Sequence, residues 1–149
     1  MKNKIGIYAG SFNPFHKGHL DIVNQAKQLF DEVIVAFGYN PTKDANEKEP
    51  LPDFDKLGIV DESYFGLLAD YLKSVSKRGD GNNDVFLIRG LRNGEDLQHE
   101  QNQLQFIREM YPDLKVVFFI CDKNLEHVSS SSLRALKKVS HEYYEKYIV

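Results

Sequence analysis

Two histidines, His16 and His19, stand three residues apart in the segment GSFNPFHKGH. The apolar run KIGIYAG before it predicts a buried strand that ends at Gly10, and a helical pattern follows it. A glycine turn between a strand and a helix lets backbone N–H groups approach a phosphate, and Ser11 adds a hydroxyl. Imidazoles at this place could stabilise the charge that develops during phosphate transfer.

Other interpretations of this turn are a metal site, a dinucleotide site and a purely structural loop. A zinc site needs three or four ligands, and the chain contains neither HExxH nor paired CxxC motifs. The dinucleotide fingerprint GxGxxG is also absent. We therefore expect no metal ligands here and favour a phosphate-handling turn over a structural loop.

A second candidate segment is FLIRGLRNGEDLQHE, residues 86–100, where two arginines flank a glycine at the end of a predicted strand. The forked guanidinium donors of Arg89 and Arg92 suit phosphate oxygens. The alternative is that these arginines pair with Glu95 or Asp96 on the protein surface.

A third candidate is HVSSSSLR, residues 127–134, at the start of a predicted helix. Serines at a helix N-terminus can cap the helix or donate hydrogen bonds to phosphate. Capping needs only one serine, so the run of four followed by Arg134 favours a ligand role.

The elements that would position these segments alternate between strand and helix. Strand, helix and strand over the first forty residues form a βαβ unit, which indicates a parallel sheet. We expect one domain over residues 1–149, of the α/β class, with a Rossmann-like parallel sheet and helices on both faces. The predicted strands are 4–10, 32–41, 84–90 and 114–122. The predicted helices are 18–33, 62–78, 93–111 with Leu97, Leu104, Ile107 and Met110 facing inward, and 130–149 with a break near Ser140; 44–62 is expected to be a loop with at most a short helix or strand.

Composition restricts the class of protein. The 149 residues are 42% hydrophobic and 28% charged, with a net charge of −3, which argues against a general nucleic-acid surface. No apolar run suits a signal peptide or a membrane span. The single cysteine, Cys121, excludes an intramolecular disulfide and is expected to be a buried, inert thiol. We expect a cytoplasmic protein without nucleic-acid or membrane partners.

The three segments also resemble a known family. GSFNPFHKGH is similar to the (T/S)FxPxHxGH signature of the nucleotidyltransferase superfamily, and HVSSSSLR is similar to its ISSTxIR signature. Residues 86–100 resemble the IRGLRxxxDxxxE pattern of phosphopantetheine adenylyltransferases, and GLLADYL at 66–72 resembles the segment where that family holds the pantetheine arm. The resemblance implies transfer of an adenylyl group from ATP to 4′-phosphopantetheine, with Mg²⁺ carried by ATP, and a possible homo-oligomer, a hexamer in that family.

The resemblance also implies roles for individual residues, position by position. The implied catalytic residues are His19, Lys43 and Arg92. The implied ATP-binding residues are Ser11, Phe12, His16, His19, Gly90, Leu91, Arg92, Glu100, Leu125, Glu126, His127, Val128, Ser129, Ser130 and Ser131. The implied residues for the acceptor substrate are Ser11, Lys43, Leu68 and Arg89, and no residue is implied as a metal ligand.

Two alternative functions stay open. His16, an altered segment at 44–62 and an insertion-like stretch at 73–84 favour an adenylyltransferase or cytidylyltransferase for another phosphate, such as nicotinamide or nicotinic acid mononucleotide. A non-catalytic nucleotide-binding protein is the other alternative, although such a protein has no need of the histidine that the resemblance places at the transition state, His19.

Overall fold

The computed structural model describes residues 2–38 and 48–149. Its strands are β1 (Asn3–Gly10), β2 (Glu32–Gly38), β3 (Val60–Tyr64), β4 (Asn83–Leu91) and β5 (Val116–Ile120). Its helices are α1 (Lys17–Ala26), α2 (Leu68–Ser76), α3 (Gly94–Met110), α4 (Ser130–Val139) and α5 (His141–Glu145), with a 3₁₀ turn at Lys123–Leu125. The segment that contains Lys43 lies outside the described residues.

The five strands form one parallel sheet in the order β3-β2-β1-β4-β5. The central strand β1 pairs with both β2 and β4, so that Ile7 lies opposite Ile34 on one side and Leu87 on the other. The chain reverses its direction of winding between β1 and β4. In open parallel sheets, ligands bind beyond the carboxyl ends of the strands at such a switch point.

Helices cover both faces of the sheet, as the sequence predicts. Alternate residues of β1 point to opposite faces, because the side-chain period of a strand is two. Ile5 and Ile7 belong to a buried cluster with residues of α2 and α3, whereas Tyr8 belongs to a second cluster with residues of α1. Among the described residues, none of the helices combines the length and apolar character required to cross a bilayer.

The middle of the chain differs from the prediction. The expected helix at 62–78 is shorter: β3 occupies Val60–Tyr64, and α2 begins at Leu68. The sequence VDESY has no apolar run, and β3, which lies at one edge of the sheet, has no buried residue. Its Glu62 accepts hydrogen bonds from the Tyr71 hydroxyl and the Arg78 guanidinium, so the polar residue is fixed by α2 and the turn after it.

No helix lies in the described part of the β2–β3 connection, residues 48–59, where a turn at 54–58 packs against the sheet. Phe54 is 5% exposed, and its ring lies edge-on to Phe15 with centroids 5.1 Å apart. Phe54 and Ile59 thus bury the α1 face of the sheet beside β2. The prediction of a loop with little regular structure before β3 agrees with this segment.

Several details of the other helices correct the predicted ends. Helix α1 ends at Ala26 rather than near residue 33. On α3, Leu104 and Ile107 are buried, but Met110 is 37% exposed and therefore does not face inward as predicted. Cys121 is half-buried rather than buried. The predicted break near Ser140 is confirmed, because Ser140 ends α4 and caps α5 through its side chain.

Candidate active site

The turn between β1 and α1 holds its two histidines in a reciprocal arrangement. The His16 side chain caps α1, since its Nδ1 accepts from the Gly18 N–H at 3.1 Å. The His19 Nδ1 accepts from the His16 N–H at 3.1 Å, and the two rings stack with centroids 3.6 Å apart. A side chain at Gly18 would clash with His16, because an added Cβ would lie 2.9 Å from its Cε1.

Burial and the hydrogen bonds of the two histidines determine whether each ring is protonated and which nitrogen carries the proton. His16 is 5% exposed. Burial, with a smaller effect of the nearby Arg92 charge, lowers the pKa of His16 to about 4. Burial and the neighbouring His16 lower the pKa of His19 well below its ordinary value. Both rings are therefore neutral at pH 7, and each carries its proton on Nε2 because Nδ1 accepts a hydrogen bond.

A cleft of about 300 Å³ opens beside these histidines, beyond the carboxyl ends of β1, β4 and β5. It brings together residues from four segments that are distant in sequence. Of the residues that the sequence predicts as functional, the cleft is lined by His16, His19, Gly90, Leu91, Arg92, Glu100, Leu125, Val128, Ser129 and Ser130.

Both predicted phosphate-binding arginines lie beside carboxylates of α3. The Arg92 Nε and Nη2 donate to the two oxygens of Asp96 at 3.0 and 3.1 Å. The Arg89 Nη1 donates to the Ala9 carbonyl at 2.8 Å, and its Nε lies 3.1 Å from Glu100 Oε2. This second pair is close enough for an ion pair but lacks hydrogen-bond alignment, since neither atom has a hydrogen-bond partner. The sequence offers the pairing of Arg92 with Asp96 as the alternative to phosphate binding, and the structure contains this pair.

The serine run is largely engaged in local hydrogen bonds. Ser129 caps α4 by accepting from the Ser132 N–H at 3.1 Å, and the Ser132 hydroxyl completes the capping box. The Ser130 hydroxyl donates to the Pro14 carbonyl at 3.0 Å, which fastens α4 to the histidine turn. Capping therefore uses two serines rather than one, and the N-terminus of α4 is presented to the cleft.

Comparison with known proteins identifies the family. Residues 7–136 match the cytidylyltransferase-like family. The chain is 38% identical over 143 residues to the phosphopantetheine adenylyltransferase of Cytophaga hutchinsonii, with 91% of each chain covered. It is 37% identical over 145 residues to the enzyme of the same name from Streptococcus pyogenes serotype M5, with 91% and 84% covered. The chain belongs to the phosphopantetheine adenylyltransferase family.

A solved structure supports the fold. The bifunctional NMN adenylyltransferase/ADP ribose pyrophosphatase of Francisella tularensis superimposes with a TM-score of 0.60 at 19% identity, over 91% of this chain and 42% of that one. At this identity the likeness concerns the fold, which is that of nucleotidyltransferases.

In this member of the phosphopantetheine adenylyltransferase family, other predicted residues lie outside the 300 Å³ cleft. Ser11 and Phe12 line a separate cleft of about 310 Å³ with Phe37 and residues of β3. The buried Phe12 ring contacts His19 edge-on at 4.9 Å between centroids. Five other predicted residues do not line the cleft: Leu68, Arg89, Glu126, His127 and Ser131. The role predicted for Lys43 falls outside the described residues.

The sequence predicted no ligand-binding role for six further residues that line the same cleft: Tyr8, Gly18, Ile22, Asp96, His99 and Cys121. Asp96 and Glu100 are four residues apart on α3, so they share a helix face. The sequence predicted Asp96 only as a possible surface partner of the arginines. The spacing of Asp96 and Glu100, together with Arg92 four residues before Asp96, is the signal that would have placed it in the cleft.

Proposed function

We propose that this chain transfers the adenylyl group of ATP to 4′-phosphopantetheine, giving dephospho-coenzyme A and pyrophosphate. The observation that carries the proposal is the 38% identity, over 91% of the chain, to a protein named phosphopantetheine adenylyltransferase. The cleft at the switch point of the sheet supports it, because its residues come from all three segments with the family's motifs.

The proposed reaction is a direct in-line displacement. A phosphate oxygen of the acceptor attacks the α-phosphorus of ATP, a new P–O bond forms, and the bond to the β-phosphate oxygen breaks to release pyrophosphate. A phosphate monoester is nucleophilic at neutral pH, so the protein needs no general base. Its contribution is to position the reactants and to stabilise the charge on the phosphoryl oxygens.

His19 is the proposed contact to the α-phosphate. Its neutral ring can donate from Nε2, while its Nδ1 is fixed by the His16 N–H. His16 offers a second Nε2–H donor beside it, and the N-termini of α1 and α4 add partial positive charge. Arg92 and Lys43 would stabilise the phosphates, and Arg89 with Lys43 would hold the acceptor phosphate.

Mg²⁺ would be held mostly by phosphate oxygens and water and would screen the charge of the triphosphate. In residues 2–38 and 48–149, no group of three His, Cys, Asp or Glu side chains could hold a metal ion. The carboxylates that line the cleft, Asp96 and Glu100, lie against arginines. The donor set thus suits a metal ion that enters with the nucleotide.

We also propose a cytoplasmic location and a homo-oligomer. Size-exclusion chromatography with light scattering would test the homo-oligomer.

The test of the function is pyrophosphate release with ATP and magnesium in the presence of one acceptor at a time. We expect rapid turnover with 4′-phosphopantetheine and none with nicotinamide or nicotinic acid mononucleotide. Turnover with a mononucleotide alone would contradict the proposal and favour the acceptor suggested by His16. ATP binding without turnover on any acceptor would favour a non-catalytic protein.

His19→Ala tests the proposed chemistry. We expect turnover to fall by about 100-fold or more, with a modest loss of ATP affinity, because the donor acts on charge that develops in the transition state. His141→Ala is the matched control, since His141 is exposed and pairs with Glu145 on α5. Near-normal turnover of His19→Ala would refute the assigned role.

A further inference from the structure

Asp96 occupies a fixed position at the first turn of α3. Its N–H donates to the Asn93 side chain, which caps the helix, at 3.0 Å. Its carboxylate accepts from the Arg92 N–H at 2.9 Å in addition to the two guanidinium contacts. A carboxylate at a helix N-terminus also interacts favourably with the helix dipole. Asp96 is therefore held by the backbone as well as by the Arg92 side chain.

This arrangement fixes one edge of the Arg92 guanidinium. Rotation about several bonds of an arginine side chain is restricted when its guanidinium is held. A bidentate carboxylate fixes both the position and the plane of that group. Nε and Nη2 face Asp96, whereas Nη1 makes no hydrogen bond to any residue within the described part of the chain. Arg92 lines the cleft and lies near enough to His16 to lower the pKa of that ring.

Asp96 is ionised at neutral pH. Burial by itself would raise the pKa of Asp96, but the hydrogen bonds and charge of Arg92 overcome this effect and lower it. An unpaired carboxylate in a cleft for a triphosphate would repel the ligand. Paired with Arg92, it contributes orientation at the cost of neutralising the arginine's charge.

We infer that Asp96 is a positioning residue for phosphate binding, which holds Arg92 by one edge so that its Nη1 group is presented to the nucleotide. The inference rests on the proposed function, since it requires a nucleotide in the cleft. It differs from a surface ion pair, in which Asp96 would merely compete with the ligand for Arg92.

Calorimetric affinities for ATP and for adenosine, measured on Asp96→Asn, separate these two roles. Loss of one charge-assisted contact should weaken ATP binding by about 10-fold or more, and adenosine binding should stay unchanged because adenosine has no phosphate. Asp96→Glu should restore part of the ATP affinity. The matched control is Glu95→Gln, which removes the same charge from the neighbouring, exposed position of α3 and should alter ATP affinity less than two-fold.

Tighter ATP binding by Asp96→Asn would overturn the inference and identify Asp96 as a competitor for Arg92. An equal loss for ATP and adenosine would also overturn it, because that result indicates a general disturbance of the cleft. The assay contains no acceptor. If the wild type binds ATP but does not adenylylate phosphopantetheine, the proposed function fails while the Asp96 inference is still decided. If the wild type binds ATP no better than adenosine, the Asp96 inference is wrong.

Discussion

Acidification from pH 7 to pH 5 should destabilise the protein through His16. In the folded chain this ring is buried, and its pKa is about 4, against an ordinary value of 6.5. In the unfolded chain, His16 therefore binds a proton as the pH falls below 6.5. In the folded chain, His16 binds this proton only near pH 4. Since the unfolded state gains protons first, the free energy of unfolding falls as the pH decreases through this window.

The size of the effect follows from the two pKa values. Each pKa unit corresponds to about 1.4 kcal/mol, and the titration of His16 between pH 7 and pH 5 amounts to about 2 kcal/mol. This is a large share of the total of about 5–15 kcal/mol typical of a domain. His19 contributes in the same direction, because its pKa is also lowered. Glutamates with a lowered pKa, such as Glu62, lose their contribution only below the ordinary value of 4.5, outside this window.

Urea unfolding of the wild type and of His16→Asn, at pH 7 and at pH 5 in the same salt, would measure the effect. Asparagine can cap α1 through its side-chain oxygen but does not titrate. The variant is expected to be less stable at pH 7, because it loses the stack on His19. Its further loss on acidification should nevertheless be smaller than that of the wild type by about 2 kcal/mol. Parallel losses in the two proteins would refute the assignment of a buried, neutral His16.

Two substitutions test how the chain packs outside the cleft. Phe54→Ala should lower the free energy of unfolding by about 3–5 kcal/mol, since Phe54 fills the face of the sheet between Phe15 and Phe37; a loss below about 1 kcal/mol in urea unfolding would mean that residues 48–59 do not form this cover. Glu49→Gln should cost about 1–3 kcal/mol, because Glu49 accepts from Lys137 and from the Tyr144 hydroxyl; thermal unfolding at pH 7 would measure it, and an unchanged midpoint would show that these bonds are not needed.

The fold was largely predictable because four of its five described strands, β1, β2, β4 and β5, contain runs of apolar residues. The segments KIGIYAG and EVIVAFG are covered on both faces, and a helical pattern connects them. The edge strand β3 could not be recognised in this way. Its residues Asp61 and Ser63 are exposed, and its Glu62 is stabilised by partners that are distant in sequence. Hydrogen bonding to β2, rather than local preference, makes VDESY a strand.

The candidate site was predictable in its segments, whereas of its pairings the sequence suggested only that of Arg92 with Asp96, and only as an alternative. The strand-end positions of His19, Arg92 and the serine run indicate one common edge of the sheet, and the structure brings them into one cleft. Which atoms remain available to a ligand depends on contacts that residue types do not specify. Ser130 could have faced the ligand, yet its hydroxyl donates to Pro14. The side chain of Arg92 is similarly divided between Asp96 and the cleft.

These pairings change the expected source of phosphate stabilisation. Arg92, which lines the cleft, has Asp96 beside it, Arg89 has Glu100 beside it, and both histidines are neutral. The described part of the cleft therefore offers oriented donors rather than a large excess of positive charge. Oriented donors need little rearrangement as charge develops, and low water content strengthens them. We therefore expect nucleotide affinity to depend strongly on the geometry of Arg92, turnover to depend strongly on the geometry of His19, and both to depend only weakly on surface charge.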